Sequence, residues 1–497
     1  MSQAVAAFKR GPIMAAIIIG AFVTILNQTL LNVALPKIMD DLHITTNTAQ
    51  WLTTGFMLVN GVLIPLSAYL VGRFSTRQLF NTAMFLFLIG TIFCAFAGNF
   101  EFLMAGRIIQ AAGAGIMMPL MSIVVLTIFK VEERGKAMGM MGVAMIFAPA
   151  VGPTLSGWIV EHHSWHVLFY IILPLAVIAL IIGFVFMKNV GELTKPKLNT
   201  LGVILSTLGF GGLLFGFSEA GNDGWDSATV IVSLLVGAVA LVTFVLKEWF
   251  NKKPLLEFRV FKYDMFSLTT VINILVTMAM YAGMILTPIY MQNILGLTPI
   301  KSGLALLPGA ILMGIMSPIT GAIFDKIGAR WLSVVGLIIT AATTWEFTQL
   351  TTETTYTFMV VLYSIRMFGM SLLMMPVQTA GMNQLPQRLN PHGSAMSQTL
   401  RTVGGALGTA WLVTVMSNKT KSSITDLIIA GKVDTTNEAA MQLVKNQGTV
   451  VGINHAFEYA FWLTVAALAL AFFIRKTKPG KDFAVAATTE AKKSVEA

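Results

Sequence analysis

Long apolar stretches, nearly free of charge, succeed one another along this chain, and no other feature restricts its fold so strongly. A helix needs about twenty mostly apolar residues to cross a bilayer, so the chain is predicted to be an all-α polytopic membrane protein, with the lipid bilayer as its first partner. Charged residues make up 11% of it and the mean hydropathy is +0.76, whereas soluble domains carry roughly 25% charged residues. The first apolar run continues from Pro12 to Leu35 with no small-residue cleavage site, and so reads as a spanning helix, not a signal peptide. Cys94 is the lone cysteine. It excludes a disulfide within the chain and reads as a small hydrophobe in a helix.

Fourteen transmembrane helices are predicted, near 12–35, 48–71, 79–97, 101–127, 137–159, 165–187, 200–218, 227–247, 264–289, 301–324, 331–350, 356–378, 394–417 and 455–475. Loops are short apart from a basic connector, Glu248 to Tyr263, and a polar loop, Asn418 to Asn454. The net charge of +10 would suggest nucleic acid as the partner of a soluble protein. Here it is explained by the loops: Lys and Arg favour the side that bears both termini by roughly four to one, which places both ends in the cytoplasm and leaves no nucleic-acid role.

The chain also repeats itself. Arg107 is followed by GAGIMMPL, ending at Leu120, and Arg366 by GMSLLMMPV, ending at Val377; the arginines are 259 residues apart. RFSTR at 73–77 recurs as KIGAR at 326–330, 253 residues on. The resulting plan is six helices, two, and six. A six-helix bundle spans 12–187, an inserted hairpin 200–247, a second bundle 264–475 and a cytoplasmic tail 476–497. Internal repeats of this kind characterise secondary transporters, which hold substrate near the bilayer midplane between the halves.

Polar residues inside such spans are expensive, and so they mark candidate sites. An ionised side chain near the bilayer centre costs at least about 2.5–3.5 kcal/mol, which singles out Arg107, with Gln110 one turn on, and Arg366 and Arg401. Asn27, Gln28, Thr29 and Asn32 crowd one helix, either as packing groups or as the polar wall of a cavity. Acids are scarce, with Glu219, Glu346 and Glu458 near outer helix ends. Methionines and the aromatics Phe147, Tyr281, Tyr290 and Trp411 suit an adaptable pocket. Asp325, beside Lys326 and Arg330 at a helix end, is placed to latch a neighbouring helix, with Arg73 as the expected partner. On the fifth helix, Ala144, Ala148, Gly152 and Ser156 form a ridge of small residues at every fourth position, in register with Pro149 and Pro153. Such a ridge permits close backbone approach, and the prolines weaken adjacent turns. No nucleotide-binding loop, zinc motif or nucleophile elbow occurs, so neither an enzyme nor a cofactor or metal requirement is expected.

With these motifs in hand, the chain resembles the fourteen-helix drug:proton antiporters of the major facilitator superfamily, of the EmrB and QacA type. The likeness covers essentially all of it. LNQTLLNVALP at 26–36 resembles the group's first-helix motif, residues 68–77 and 321–330 its cytoplasmic loop motif, and Leu103, Arg107, Gln110 and Gly113 its fourth-helix motif. Gly139, Ala148, Gly152, Pro153, Ser156 and Gly157 follow the fifth-helix antiporter motif, with alanine and serine for two of its glycines. The resemblance implies proton-coupled multidrug efflux: export of amphiphilic small molecules across the cytoplasmic membrane by alternating access. The proton gradient would supply the energy, and an accessory adaptor would join it where the envelope has two membranes. It implies proton coupling through Arg107 and Gln110; Glu219 or Glu346 is expected to take over proton binding, and Asn27, Gln28, Asn32, Phe147, Tyr281, Tyr290 and Arg366 are expected to line the cavity. Gating falls to Arg73, Asp325, Arg330 and the fifth-helix motif. The family's first-helix aspartate is Asn27 here, and its first loop aspartate is Gly72. Export of an endogenous metabolite or lipid, anions included, is the alternative within transport, and a non-transporting sensor or scaffold is the alternative outside it.

Overall fold

The computed structural model describes residues 10–190, 193, 198–251, 254–429 and 438–475; the tail at 476–497 lies outside the described residues. Fifteen α-helices occur among them: α1 (Arg10–Leu42), α2 (Thr46–Arg73), α3 (Thr76–Ala95), α4 (Phe100–Ile128), α5 (Arg134–His162), α6 (His166–Phe186), α7 (Thr200–Asp223), α8 (Ala228–Phe250), α9 (Asp264–Asn293), α10 (Pro299–Ile327), α11 (Ala329–Glu346), α12 (Tyr356–Ser371), α13 (Met374–Gln384), α14 (Asn390–Ile429) and α15 (Glu438–Ala471). No strand is present among the described residues. Helix starts follow local chemistry. Ser75 and Gln78 make a reciprocal capping box on α3, and Asn99 caps α4. Thr298, followed by Pro299 at the first helical position, caps α10.

Two expectations about the second half are corrected. The stretch read as one helix over 356–378 is broken, with Leu372 and Leu373 turning between α12 and α13. Pro376 has no N–H for the carbonyl four residues back. The chain closes the gap with tighter bonds, Leu372 and Leu373 donating to the carbonyls of Gly369 and Met370 at 3.2 Å each. The polar loop read at 418–454 is largely helical: α14 runs to Ile429 and α15 starts at Glu438. Gly448 and Gly452 let α15 lie against Ile424 and Thr420 of α14. The 40 residues of α14 span about 60 Å at 1.5 Å per residue, twice the roughly 30 Å hydrocarbon core.

Thirteen stretches among the described residues are long and apolar enough to cross a membrane, α12 and α13 together forming one. α14 is not among them, for its first turns carry Ser394, Ser397, Gln398, Thr399, Arg401 and Thr402. It is wrapped by α2, α4, α7, α9 and α15, so it faces protein where a lipid-exposed helix would need apolar side chains.

Packing repeats between the halves. α1 lies on α5 and α6 as α9 lies on α14 and α15; α2 pairs with α4 as α10 with α12, and α3 with α4 and α6 as α11 with α12 and α15. One apolar core is built from α1 and α3–α6 with Leu52 of α2 and Met375, and a second from α9–α15. The halves meet along two seams, α5 on α10 and α14 on α2. α7 and α8 pack on each other, and α7 crosses the second seam. Thr54 of α2 and Ser218 share a hydrogen bond of 3.0 Å, and the Trp225 indole beyond α7 donates to Thr414 of α14 at 2.8 Å.

Candidate functional site

One end of the bundle, where α1 begins and α15 ends, carries Arg10, Arg73, Lys130 and Arg330, and is the basic face. Here the seams are shut. Arg134 at the start of α5 donates to Asn383 of α13 at 3.2 Å and to the carbonyl of Leu126 at 2.7 Å. Ala68, Leu126, Met382, Leu385, Leu389 and Met396 pack into one apolar plug contributed by both halves. Asp325 ends α10 against the first turn of α5: the amides of Gly135 and Lys136 donate to its two oxygens at 2.8 and 2.9 Å. The partner expected in Arg73 is thus replaced by a helix N-terminus, whose unpaired amides and positive dipole end offer a carboxylate two bonds at once. Arg73 is exposed, and exposed Arg330 stacks over Trp331 at 5.6 Å.

α5 fits between α1 and α10 by means of its small residues, and it runs unbroken through Pro149 and Pro153. Ser156 donates to the Leu30 carbonyl at 2.6 Å, and Thr29 reaches the Ala148 carbonyl at 3.4 Å. A Cβ on Gly152 would stand 2.2 Å from Thr29 Oγ1, and one on Gly139 would stand 2.4 Å from the Ser317 carbonyl of α10. Gly157 lies by Ile300 at the other end of the same seam.

Inside the first half, Arg107 is 1% exposed and Gln110 and Asn27 are buried with it. Arg107 donates to the Leu52 carbonyl at 3.3 Å and to Gln110 Oε1 at 3.1 Å, with its guanidinium 4.2 Å from the Phe56 ring centre. Gln110 donates to Thr91 at 2.9 Å, and its oxygen accepts from Asn27 Nδ2 at 3.1 Å. Three helices therefore converge on one amide. Thr91, and Cys94 whose thiol lies 3.8 Å from Gln110 Oε1, were not foreseen as its partners, because nothing in the α3 sequence signals which face meets α4. Gly90 decides it: a Cβ there would strike the Gln110 amide at 2.5 Å and the Gly106 carbonyl at 2.6 Å.

The same crossing recurs in the second half, where a Cβ on Gly336 would lie 2.6 Å from the Gly369 carbonyl. Matching Gly106 to Gly369 pairs Arg366 with Leu103, and Arg107 with Met370. The motif-based pairing of the two arginines is therefore off by one helical turn, because two similar strings on helices of different length can align in sequence while their crossing points do not. Arg366 is fully buried and donates to the Ala279 carbonyl of α9 at 2.7 Å, with Gly283 beside it and the Phe347 ring 6.0 Å away. It is enclosed in the second bundle, with its Nε and Nη1 lacking a hydrogen-bond partner among the described residues.

The remaining expected residues scatter. Tyr290 is fully buried, and its phenol donates to the Thr351 carbonyl, making it an anchor for the loop after α11 where a pocket wall was expected. Tyr281 is half-buried on Gly405 of α14, Phe147 is exposed, Gln28 is half-buried, and the Asn32 side chain lies outside the described residues. Glu219 is half-buried near the far end of α7, and Glu346 is exposed at the end of α11.

Comparison with known proteins gives the frame for this geometry. Residues 17–409 match the family model described as Major Facilitator Superfamily. The MFS-type transporter YhcA of Bacillus subtilis (strain 168) is 50% identical over 492 residues, covering 93% of this chain and 92% of that protein. The lincomycin resistance protein LmrB of the same organism is 43% identical, covering 95% of this chain and 97% of that one. The solved structure of the proton:xylose symporter XylE superposes with a TM-score of 0.60 at 12% identity, covering 95% of this chain and 97% of that one, which speaks to the fold alone. This multi-pass membrane protein belongs to the major facilitator superfamily of transporters.

Proposed function

We propose that this transporter exports amphiphilic small molecules across the cytoplasmic membrane by alternating access, driven by inward proton flow. Support for export comes from LmrB, 43% identical and named for lincomycin resistance. The observation that carries the mechanism is the sealed basic face. Loop charge puts that face in the cytoplasm together with both termini, so the described conformer is closed inward. The two halves, 12–187 and 264–475, rock against each other along α5 and α10, while the 200–247 hairpin straps α2 to α14. Opening inward withdraws Asp325 from the α5 N-terminus and parts Arg134 from Asn383, two contacts that involve few groups and re-form readily.

Arg107, Gln110 and Asn27 form the coupling cluster. Rearranging it shifts α1, α2, α3 and α4 together, because Gln110 bonds to two of them and Arg107 to a third. Asparagine holds no exchangeable acid proton, so proton binding falls to Glu219. Its neighbour Ser218 bonds to Thr54 of α2, and a change of charge there acts on the α2–α7 contact. Glu346, exposed on α11, is the weaker candidate. In proteoliposomes with an acidic lumen, a fluorescent amphiphile accumulates, accumulation is abolished by a protonophore, and Glu219→Gln removes the gradient dependence. Accumulation indifferent to the protonophore refutes the coupling, and no accumulation of any amphiphile under either gradient refutes export.

A further inference from the structure

The interior charge of this protein is one-sided. Arg107, Arg366 and Arg401 lie deep in α4, α12 and α14, whereas Glu101, Glu219, Glu248, Asp264, Asp325 and Glu346 sit within a turn of the ends of their spans, and Glu458, mid-way along α15, is exposed and pairs with His455. None of the three arginines forms an ion pair among the described residues. Arg107 and Arg366 are buried inside their own bundles; Arg401 is placed differently. It is half-buried, and its one described side-chain hydrogen bond goes to Gln378 Oε1 of α13 at 3.1 Å. Ser394, on the same helix, reaches across the seam to the Pro119 carbonyl of α4 at 3.5 Å. Arg401 follows Ser394 by seven residues, about two turns with some 20° of drift, so it faces the same seam, two turns deeper into the membrane. Tyr281 lies on Gly405, one turn further along. A guanidinium has five donor hydrogens, and an amide oxygen occupies only part of that fork.

We propose that Arg401, oriented by Gln378 and flanked by Tyr281, binds the carboxylate or sulfonate of an anionic amphiphile in the seam between the halves. The inference rests on the export reading and narrows its substrate class. Planar guanidinium and planar or tripodal oxyanion match in two parallel bonds. A lipophilic cation entering the same seam meets the positive charge of Arg401 at this point. The apolar body of the substrate lies along Tyr281 and Met278, which pack on Gly405 and Gly408 of α14 and discriminate weakly, while the anionic head is read at one point.

The test uses a matched pair, anilinonaphthalene sulfonate and neutral phenylnaphthylamine, with ethidium as the cation, in proteoliposomes of the full chain. Wild-type protein transports the sulfonate faster than ethidium. Arg401→Gln lowers the sulfonate-to-neutral rate ratio by about tenfold or more, and Arg401→Lys recovers most of it. An unchanged ratio in Arg401→Gln overturns the proposal. If that variant does not purify as a folded protein, Gln378→Leu replaces it; the ratio is expected to fall several-fold, and an unchanged ratio again overturns the proposal. Equilibrium binding to purified protein, read by quenching of tryptophan emission, separates the two readings. Saturable sulfonate binding that is lost in the arginine variant upholds the site even where no probe is transported and export itself fails. Absence of such binding overturns the site.

Discussion

Gly152→Ala adds one methyl group at the closest approach of α5 to α1. That methyl would stand 2.2 Å from Thr29 Oγ1 and 2.8 Å from Thr29 Cβ, both inside the distance real carbons keep. Thr29 cannot simply swing aside. Its hydroxyl bonds back to the Leu26 carbonyl at 2.9 Å and touches the Ala148 carbonyl at 3.4 Å, and it packs among buried neighbours. The helices must part instead, and overpacking of this kind costs about 1–3 kcal/mol. Parting them also strains the Ser156 bond to Leu30, one turn on. Gly152→Ala therefore lowers the apparent melting temperature of the purified protein by a few degrees and slows transport in proteoliposomes. The decisive measurement is a double-mutant cycle with Thr29→Ala, which removes the nearer of the two clashing atoms. The pair is more stable than the sum of the single changes by about 1 kcal/mol. Wild-type stability and transport in Gly152→Ala, or strict additivity with Thr29→Ala, refutes the claim that this glycine is required by close approach.

Other expected outcomes follow from the same geometry. Gln110→Leu leaves Asn27, Thr91 and Arg107 short of partners in a buried site, at a cost of about 1–3 kcal/mol for each unsatisfied group; thermal unfolding should show a larger loss than Asn27→Leu alone, and an equal loss contradicts the hub role of Gln110. Gly90→Ala and Gly336→Ala each drive a methyl into backbone at 2.6 Å or less, where no side chain can yield, so both should fail to give monodisperse protein on gel filtration. Asp325→Asn weakens the hold on the α5 N-terminus by about 0.3–1 kcal/mol, and labelling of cysteines placed along the seam should report a basic face open several-fold more often.

Hydropathy was enough to establish the membrane class and nearly all the spans, because bilayer thickness and backbone hydrogen bonding leave a chain of this composition few alternatives; recurring strings pointed to the two-fold repeat, and loop Lys and Arg to the basic face. Single polar residues in apolar runs likewise marked Arg107, Gln110 and Asn27, since their burial without partners is too costly to be accidental. Which groups they meet was decided by tertiary structure alone. Thr91 comes to Gln110 only because Gly90 lets α3 and α4 touch, and Asp325 takes the α5 N-terminus because Gly135 and Gly321 let α5 and α10 close. The break after Ser371 and the helical extension of α14 and α15 also escaped sequence reading. A lone proline is tolerated in other helices of this protein, such as α4 and α9, and polar helices outside the hydrocarbon have no apolar run to announce them. Arg366 and Arg401 look alike in the sequence. One is sealed in a bundle core and the other faces the seam, a difference set by helix crossing points, which depend on contacts between residues far apart in the chain.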